Sequence, residues 1–325
     1  MTLADGDSHR PTPLSAGARL SRTTVRLAMA ALQDQHGLNQ NPAFDVLRDV
    51  SQRHNIKLRV VAAGMIAPHS SARSRSAAPR PPLPFTARGR ACTTRAEVVA
   101  ELMRVVISRS GAERGIVQLH DQVHGGMQLE GWRGFSQDFA DAFSYVSADD
   151  TSCRQAFSDA QVVVTDGDSS PLFSESARET LLANDVRSCV STPIVDDDGA
   201  VWGMVSTHQP RPDAVPTKAE LGQLLRMAGQ CGRWLQWYDH LVLPTVVAAV
   251  HEAAAARASG GDSYPTASLT DPAVTIANAA RLLTARYGVD KSHSRKMLAA
   301  IARRRGVSLH ALATQLTAGI DQPGS

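Results

Sequence analysis

Apolar residues recur every three or four positions over much of the chain, the spacing that keeps one face of a helix buried. Val25, Ala28, Met29 and Leu32 fall at i, i+3, i+4 and i+7, and Leu58, Val61, Ala62 and Met65 share a second such face. Between them a shorter run carries Leu47 and Val50 inward. Gly37 supplies a left-handed end to the first helix, Asn41 before Pro42 reads as the cap of the second, and Pro68 closes the third. Three short helices with one stripe each predict a three-helix bundle over residues 21–67. The pattern returns at the far end. Ile276, Ala279, Ala280 and Leu283, then Leu298, then Leu309, Leu312, Ala313 and Leu316 repeat it, with His36 on Tyr287 and Gly37 on Gly288, 251 positions apart without a gap.

The middle of the chain changes period. "RGIVQLHD" and "MQLEGWRGF", joined around Gly125 and Gly126, read as one strand pair. "VSTPIVDDDGAVWGMVSTHQ" reads as a second, its three Asp and a Gly forming the turn. "RAEVVAELMRVVISRSG" precedes them as an amphipathic helix and "KAELGQLLRMAGQCGRWLQWYDHL" follows as another. The expectation is an α+β fold, an antiparallel sheet with helices packed on one face. The closing helix carries Leu221, Leu224, Leu225, Ala228, Cys231 and Leu235 as a stripe that serves its own sheet or a second chain, and Pro244 predicts a kink beyond it.

Length and composition set the limits. The 325 residues suffice for two or three domains. No apolar run approaches the roughly 20 residues a membrane span needs, and "MTLADGDSHRPTP" lacks a signal-peptide layout, so a cytoplasmic protein is expected. Cys92, Cys153, Cys189 and Cys231 show no CxxC spacing and read as reduced, partly buried thiols. Residues 67–90, rich in Ser, Pro and Arg, and residues 256–272 read as linkers. The parts are therefore a flexible 1–20, a helical unit 21–67, a basic linker 68–92, a central domain 93–240, a helix extension and linker 241–272, and a second helical unit 273–320.

Charge is segregated. Residues 22–66 hold six Lys or Arg against three Asp, and residues 273–320 hold eight against Asp290 alone. Residues 96–220 hold nine against twenty Asp or Glu, for −11. Basic ends around an acidic centre point to an anionic partner for the ends and a different task for the middle.

Ala28, Leu32, His36 and Gly37, then "AFDVLRDVSQRHNIKL" and Ala62, resemble an ANTAR domain, the RNA-binding three-helix module of bacterial antitermination regulators. The C-terminal unit keeps Ala279, Leu283, Gly288, Leu298, Leu309 and Ala313. It departs at Ser294 and Arg295, where the family has Ala-Phe, and at Gly306 in place of Asn, so it resembles a diverged copy. Cations on an exposed helical face meet phosphates and release counterions. The candidates are Arg26, Arg48, Arg53, Asn55, Lys57 and Arg59 in the first unit and Arg295, Lys296, Arg303, Arg304 and Arg305 in the second. Asn55 reads equally as a helix C-cap, and Phe44 as a core or dimer contact rather than a stacking platform.

The central stretch, with "SSPLFSESARETLLANDVRSCV" before the second hairpin and Pro193, Asp198, Gly199, Gly203 and Ser206 within it, is similar to GAF sensory domains over about residues 93–239. The resemblance implies a pocket for a small molecule whose identity stays open. His120, His124 and His208 could hold a metal or haem, yet a lone histidine beside a strand reads as an ordinary surface or core residue. No phosphate loop, HExxH or nucleophile elbow occurs, so no catalysis and no metal site is expected. The resulting expectation is a GAF sensor flanked by two ANTAR-like units, an antiterminator that engages RNA hairpins as a homodimer. "IARRRGVSLHALATQL" keeps a DNA-binding helix-turn-helix regulator open as an alternative, and a scaffold without nucleic acid is the third reading.

Overall fold

The computed structural model describes residues 14–67, 80–83, 88–89, 92–147, 151–166, 170–212, 216–260, 276, 279–280, 283–284, 290–305, 309 and 312–313. Three helices open the chain: α1 (Ala16–His36), α2 (Gln40–His54) and α3 (Leu58–Ile66). Helix α1 begins inside the stretch read as a flexible tail, because the Ser15 hydroxyl accepts from the Ala18 amide and starts it there. Gly37, at φ 68°, ends it in the left-handed conformation. Helix α2 is capped at Asn39 rather than Asn41; Pro42 then lies in the first turn, where a missing N–H breaks no helical bond. The periodic residues meet as expected, with Ala28, Leu32, Leu47, Val50, Val61 and Ala62 wholly buried. Pro68, read as the stop of α3, lies outside the described residues.

The central domain runs α4 (Arg95–Ser110), β1 (Arg114–His120), β2 (Met127–Arg133), α5 (Gln137–Ala142), β3 (Tyr145–Val146), α6 (Ser152–Asp159), β4 (Val163–Asp166), α7 (Glu175–Ala183), β5 (Ser188–Val195), β6 (Val201–Gln209) and α8 (Lys218–Trp237). The strands form one antiparallel sheet in the order β3-β2-β1-β6-β5-β4. Capping boxes at Thr94 with Glu97 and at Thr217 with Glu220 start α4 and α8. Both faces of the sheet are covered, not one. Helices α4 and α8 close one face over Val117, Leu119, Val190, Ile194 and Val205, and α5 to α7 close the other over Ile116, Met127, Cys189 and Met204. That is why β1, β5 and β6 are almost continuously buried instead of alternating. The α8 stripe packs on its own domain at Leu224, Ala228, Cys231 and Leu235, while Leu225 stays exposed.

Helix α8 does not stop. A π turn, Tyr238–Val242, carries it into α9 (Leu243–Ala258), so the irregularity falls in the turn before Pro244. The Leu243 amide donates to the Tyr238 carbonyl, an i−5 bond, and proline at 244 has no amide to give. The whole helix, Lys218–Ala258, is long and apolar enough to cross a membrane by length and composition, although no such run was expected. Within the fold its apolar residues pack elsewhere: α8 lies on β5 and α4, and α9 turns back onto α1, α2 and α3. A Cβ on Gly64 of α3 would come within 2.8 Å of Leu243, so the two helices touch backbone to side chain. The N-terminal bundle and the sensor thus share one apolar core, from Ala28 and Leu47 through Val246 and Val250 to Trp234 and Leu102. The linker read as coreless also contributes: Leu83 is buried in that core and Arg80 donates to the Cys92 carbonyl.

In the C-terminal unit the described helix is α10 (Lys291–Arg305), 15 residues like α2 and starting 251 positions after it. Asp290 caps it, its carboxylate accepting from the His293 amide, at the position that corresponds to Asn39. Ile276, Ala279, Ala280, Leu283, Leu298, Leu312 and Ala313 form one buried cluster, and Leu309 packs against it. Ser294, where the first unit has Ala43, is buried and satisfied: its hydroxyl donates to the Asp290 carbonyl at 3.0 Å and pairs with Thr284 at 2.7 Å.

Candidate nucleic-acid interface

The cations read as RNA contacts do not share one free surface. Lys57 and Arg59 flank the start of α3 and turn toward β2, where both reach Glu130. The Arg59 guanidinium is bidentate on that carboxylate at 2.9 and 2.7 Å, Lys57 Nζ donates at 2.8 Å, and Arg95 Nη2 of α4 at 3.1 Å. The Glu130 side chain is only 3% exposed. Burial opposes its ionisation, but Arg95, Arg59 and Lys57 outweigh burial and hold the carboxyl far below the usual carboxylate range. Leaving such a carboxylate without its partners would cost about 3–5 kcal/mol, so in this structure Lys57 and Arg59 are held against Glu130 rather than offered to solvent.

Asn55 is the left-handed C-cap of α2, at φ 54°, so the capping reading holds. With its carboxamide oxygen turned toward Arg295 it accepts from both terminal guanidinium nitrogens, at 3.2 and 2.5 Å. Arg295, a candidate of the second unit, also donates to Glu97 of the α4 capping box at 3.0 Å. It too is engaged within the chain. Lys296 is exposed, while the side chains of Arg303, Arg304 and Arg305, in the last turn of α10, lie outside the described residues. Arg48 bridges Asp45 and Asp49 in its own helix, and its guanidinium lies 5.9 Å from the Phe44 ring centroid. Phe44 is 37% exposed and is no core residue. Arg53 is half-buried near the end of α2.

A row the sequence reading reached only at Arg26 completes the picture. Arg19, Arg22 and Arg26 stand at i, i+3 and i+7 on α1, all exposed, opposite the buried Ala28 and Leu32. The helix has no acid before Asp34, and none of the three makes an ion pair among the described residues. The legible signal was the spacing: three arginines on the face the apolar stripe leaves to solvent. Among the described residues of the two helical units, Arg19, Arg22, Arg26 and Lys296 are exposed cations without an ion pair, and Arg48 lies over the half-exposed Phe44 ring.

The bundle is fastened to the sensor along α1 as well. The Gly17 amide donates to the Ser144 hydroxyl at 3.2 Å, and a Cβ there would sit 2.5 Å from Gln128 Nε2. Thr24 pairs with His124 at 3.0 Å, and His36 at the end of α1 pairs with His251 of α9 at 3.2 Å.

On the sheet face under α5 to α7 the apolar cluster contains a polar patch. Ser191 and Ser206 pair at 2.9 Å, Cys153 lies 3.2 Å from Ser206, and Ser152 lies 3.2 Å from Ser191. Gln118 donates to the Phe143 carbonyl while its carboxamide oxygen is buried with no partner among the described residues. The three histidines do not converge on a ligand. His120 packs beside Phe157, His124 meets Thr24, and His208 stands edge-on to Phe135 and Phe139. Burial, with Arg114 nearby, lowers the His208 pKa to about 3. Among the described residues no group of three or more His, Cys, Asp or Glu is placed to hold a metal.

Family models match two parts of the chain: ANTAR domain at residues 16–66 and GAF domain at residues 94–234. Neither match reaches the C-terminal unit. No curated protein matches the chain. Among solved structures it is similar to the GAF domain/HD domain protein from Geobacter sulfurreducens, at 18% identity and TM-score 0.38 over 49% of this chain and 94% of that one. It is also similar to the blue-light absorbing form of the Thermosynechococcus elongatus PixJ GAF domain, at 16%, 0.36, 48% and 92% in the same order. A third is the free methionine-R-sulfoxide reductase from Neisseria meningitidis in complex with its substrate, at 19%, 0.35, 45% and 82%.

Proposed function

We propose that this chain, which carries an ANTAR domain joined to a GAF domain, is a transcription antiterminator in which the GAF domain receives a small-molecule signal and the helical units bind RNA hairpins. Both are regulatory domains, and the protein acts through binding, without catalysis of its own. A cytoplasmic location and a homodimer belong to the same reading. The observation that carries it is the exposed row Arg19, Arg22 and Arg26 on α1, a cationic face with no ion pair among the described residues, on the very unit that matches the ANTAR family. A duplicated unit adds a second cationic surface to the same chain, suited to paired hairpins.

The test begins with RNA crosslinked to the full-length protein in cells and sequenced. Paired hairpins upstream of terminators are the expected yield. On a recovered hairpin, the double variant Arg22→Gln and Arg26→Gln should weaken binding and flatten the salt dependence by about 1.4–1.8 in log–log slope, two phosphate contacts' worth. Unchanged affinity and slope would remove α1 from the interface. Recovery of short DNA palindromes in place of RNA would refute antitermination.

A further inference from the structure

Asn55, Lys57 and Arg59 lie at the junction of α2 and α3, and each is engaged from another part of the chain. Glu130 holds the two cations from the sensor sheet, and Arg295 holds Asn55 from the C-terminal unit. We propose that Glu130 is an intramolecular lock: it occupies Lys57 and Arg59 so that they cannot meet phosphate until the sensor releases α3. This rests on the RNA-binding reading above and adds its regulation.

Three features of the site fit a lock rather than a permanent strut. First, the carboxylate belongs to the sensor and the two cations to the ANTAR unit, so the bond breaks when the two move apart. Second, Arg95 of α4 pairs with the same carboxylate from the sensor side, so Glu130 keeps a cation when Lys57 and Arg59 leave. A buried acid with only the departing partners would be stranded, and release would be prohibitively costly. Third, the site opens onto a cleft that Arg59, Arg95 and Glu130 line together with Trp202, Tyr238 and Asp239. Tyr238 and Asp239 begin the π turn, so a shift of the helix leaving the sensor reaches the lock directly. Lys57 is the more solvated of the two cations, its side chain 44% exposed, and Arg59 the more enclosed at 19%. Lys57 therefore reports opening.

The experiment uses full-length wild type, Glu130→Gln and Glu130→Asp, each first confirmed folded by its thermal transition. Glu130→Asp keeps the buried charge but shortens its reach, which protects the test if the glutamine variant is unstable. Lys57 acetylation by acetic anhydride, followed by mass spectrometry without RNA, reads the lock itself. Binding of a synthetic RNA of two stem-loops, over a salt series, reads its consequence. Faster Lys57 labelling in both variants is expected. With it, Glu130→Gln should bind RNA about tenfold more tightly, as when a minor open state becomes the main one, and with a salt slope steeper by about 1.4–1.8. Unchanged Lys57 labelling in the folded variants overturns the lock even if wild type binds RNA. Faster labelling with RNA binding equal to wild type overturns the masking. Faster labelling with no RNA bound by any of the three proteins means that the RNA reading itself fails, and the lock's role falls with it.

Discussion

Acid should weaken this fold through His208. In the native state the ring is buried on the sheet face under α5, with Phe135 and Phe139 edge-on to it, and burial aided by Arg114 lowers its pKa to about 3. Unfolded, it takes a proton near 6.5. Between those values the unfolded chain holds more protons, so stability present above pH 6.5 drains away as the pH falls toward 3. Relative to pH 7.5 the loss from this ring alone is about 1.4 kcal/mol at pH 5.5 and about 2.7 kcal/mol at pH 4.5. His251, lowered by burial and then by His36, adds loss of the same sign. The contribution of His208 is isolated by His208→Leu, a non-titrating side chain of similar volume. Urea unfolding followed by tryptophan fluorescence at pH 7.5, 5.5 and 4.5 gives the stabilities, since Trp202, Trp234 and Trp237 all report on the shared core. The variant's disadvantage should shrink, or reverse, by those amounts as the pH falls. Parallel pH profiles for the two proteins would show that the ring is not held neutral by its surroundings.

Two further substitutions follow from local geometry. Gly203→Ala should cost more than about 3 kcal/mol in the same urea assay, because at φ 153° a Cβ would lie 2.2 Å from the Gln118 carbonyl oxygen and 2.7 Å from Leu119 Cα, both backbone of the neighbouring strand. Asp196→Ala should cost about 1–3 kcal/mol and shift the Trp202 emission, since one carboxylate oxygen accepts from the Asp198 and Ala200 amides at 2.9 Å and the other from Trp202 Nε1 at 2.8 Å. A stability loss without a change in Trp202 emission would contradict the indole contact.

Periodicity made the local order legible. The stripes of α1 and α3, the left-handed Gly37 and the Asp-Gly hairpin are all properties of neighbouring residues, and each reappears in the fold. What stayed hidden depends on distance along the chain. Glu130 is 73 residues from Lys57 and 71 from Arg59, and nothing local distinguishes these cations from the exposed Arg22 and Arg26. So the sequence reads Lys57 and Arg59 as exposed cations where the fold pairs them with Glu130, and of the α1 row it singles out Arg26 alone. The second layer of helices was missed because α5, α6 and α7 are 6, 8 and 9 residues long, too short for a clear 3.6-residue period. The cap at Asn39 was missed because Asn41 before proline carries the stronger local signature, yet proline is equally at home two positions further into the first turn.

The π turn Tyr238–Val242 gives the chain a single surplus residue in an otherwise continuous screw. Expelling that surplus, so that the segment wound as ordinary α-helix, would turn α9 by about 100° about its axis relative to α8 and change its reach by about 1.5 Å. A rotation of that size would carry Val246 and Val250 out of the seam they share with α1, α2 and α3. The helix is therefore geared. A change of one residue in winding at its midpoint becomes a quarter-turn or more at the face that carries the N-terminal bundle.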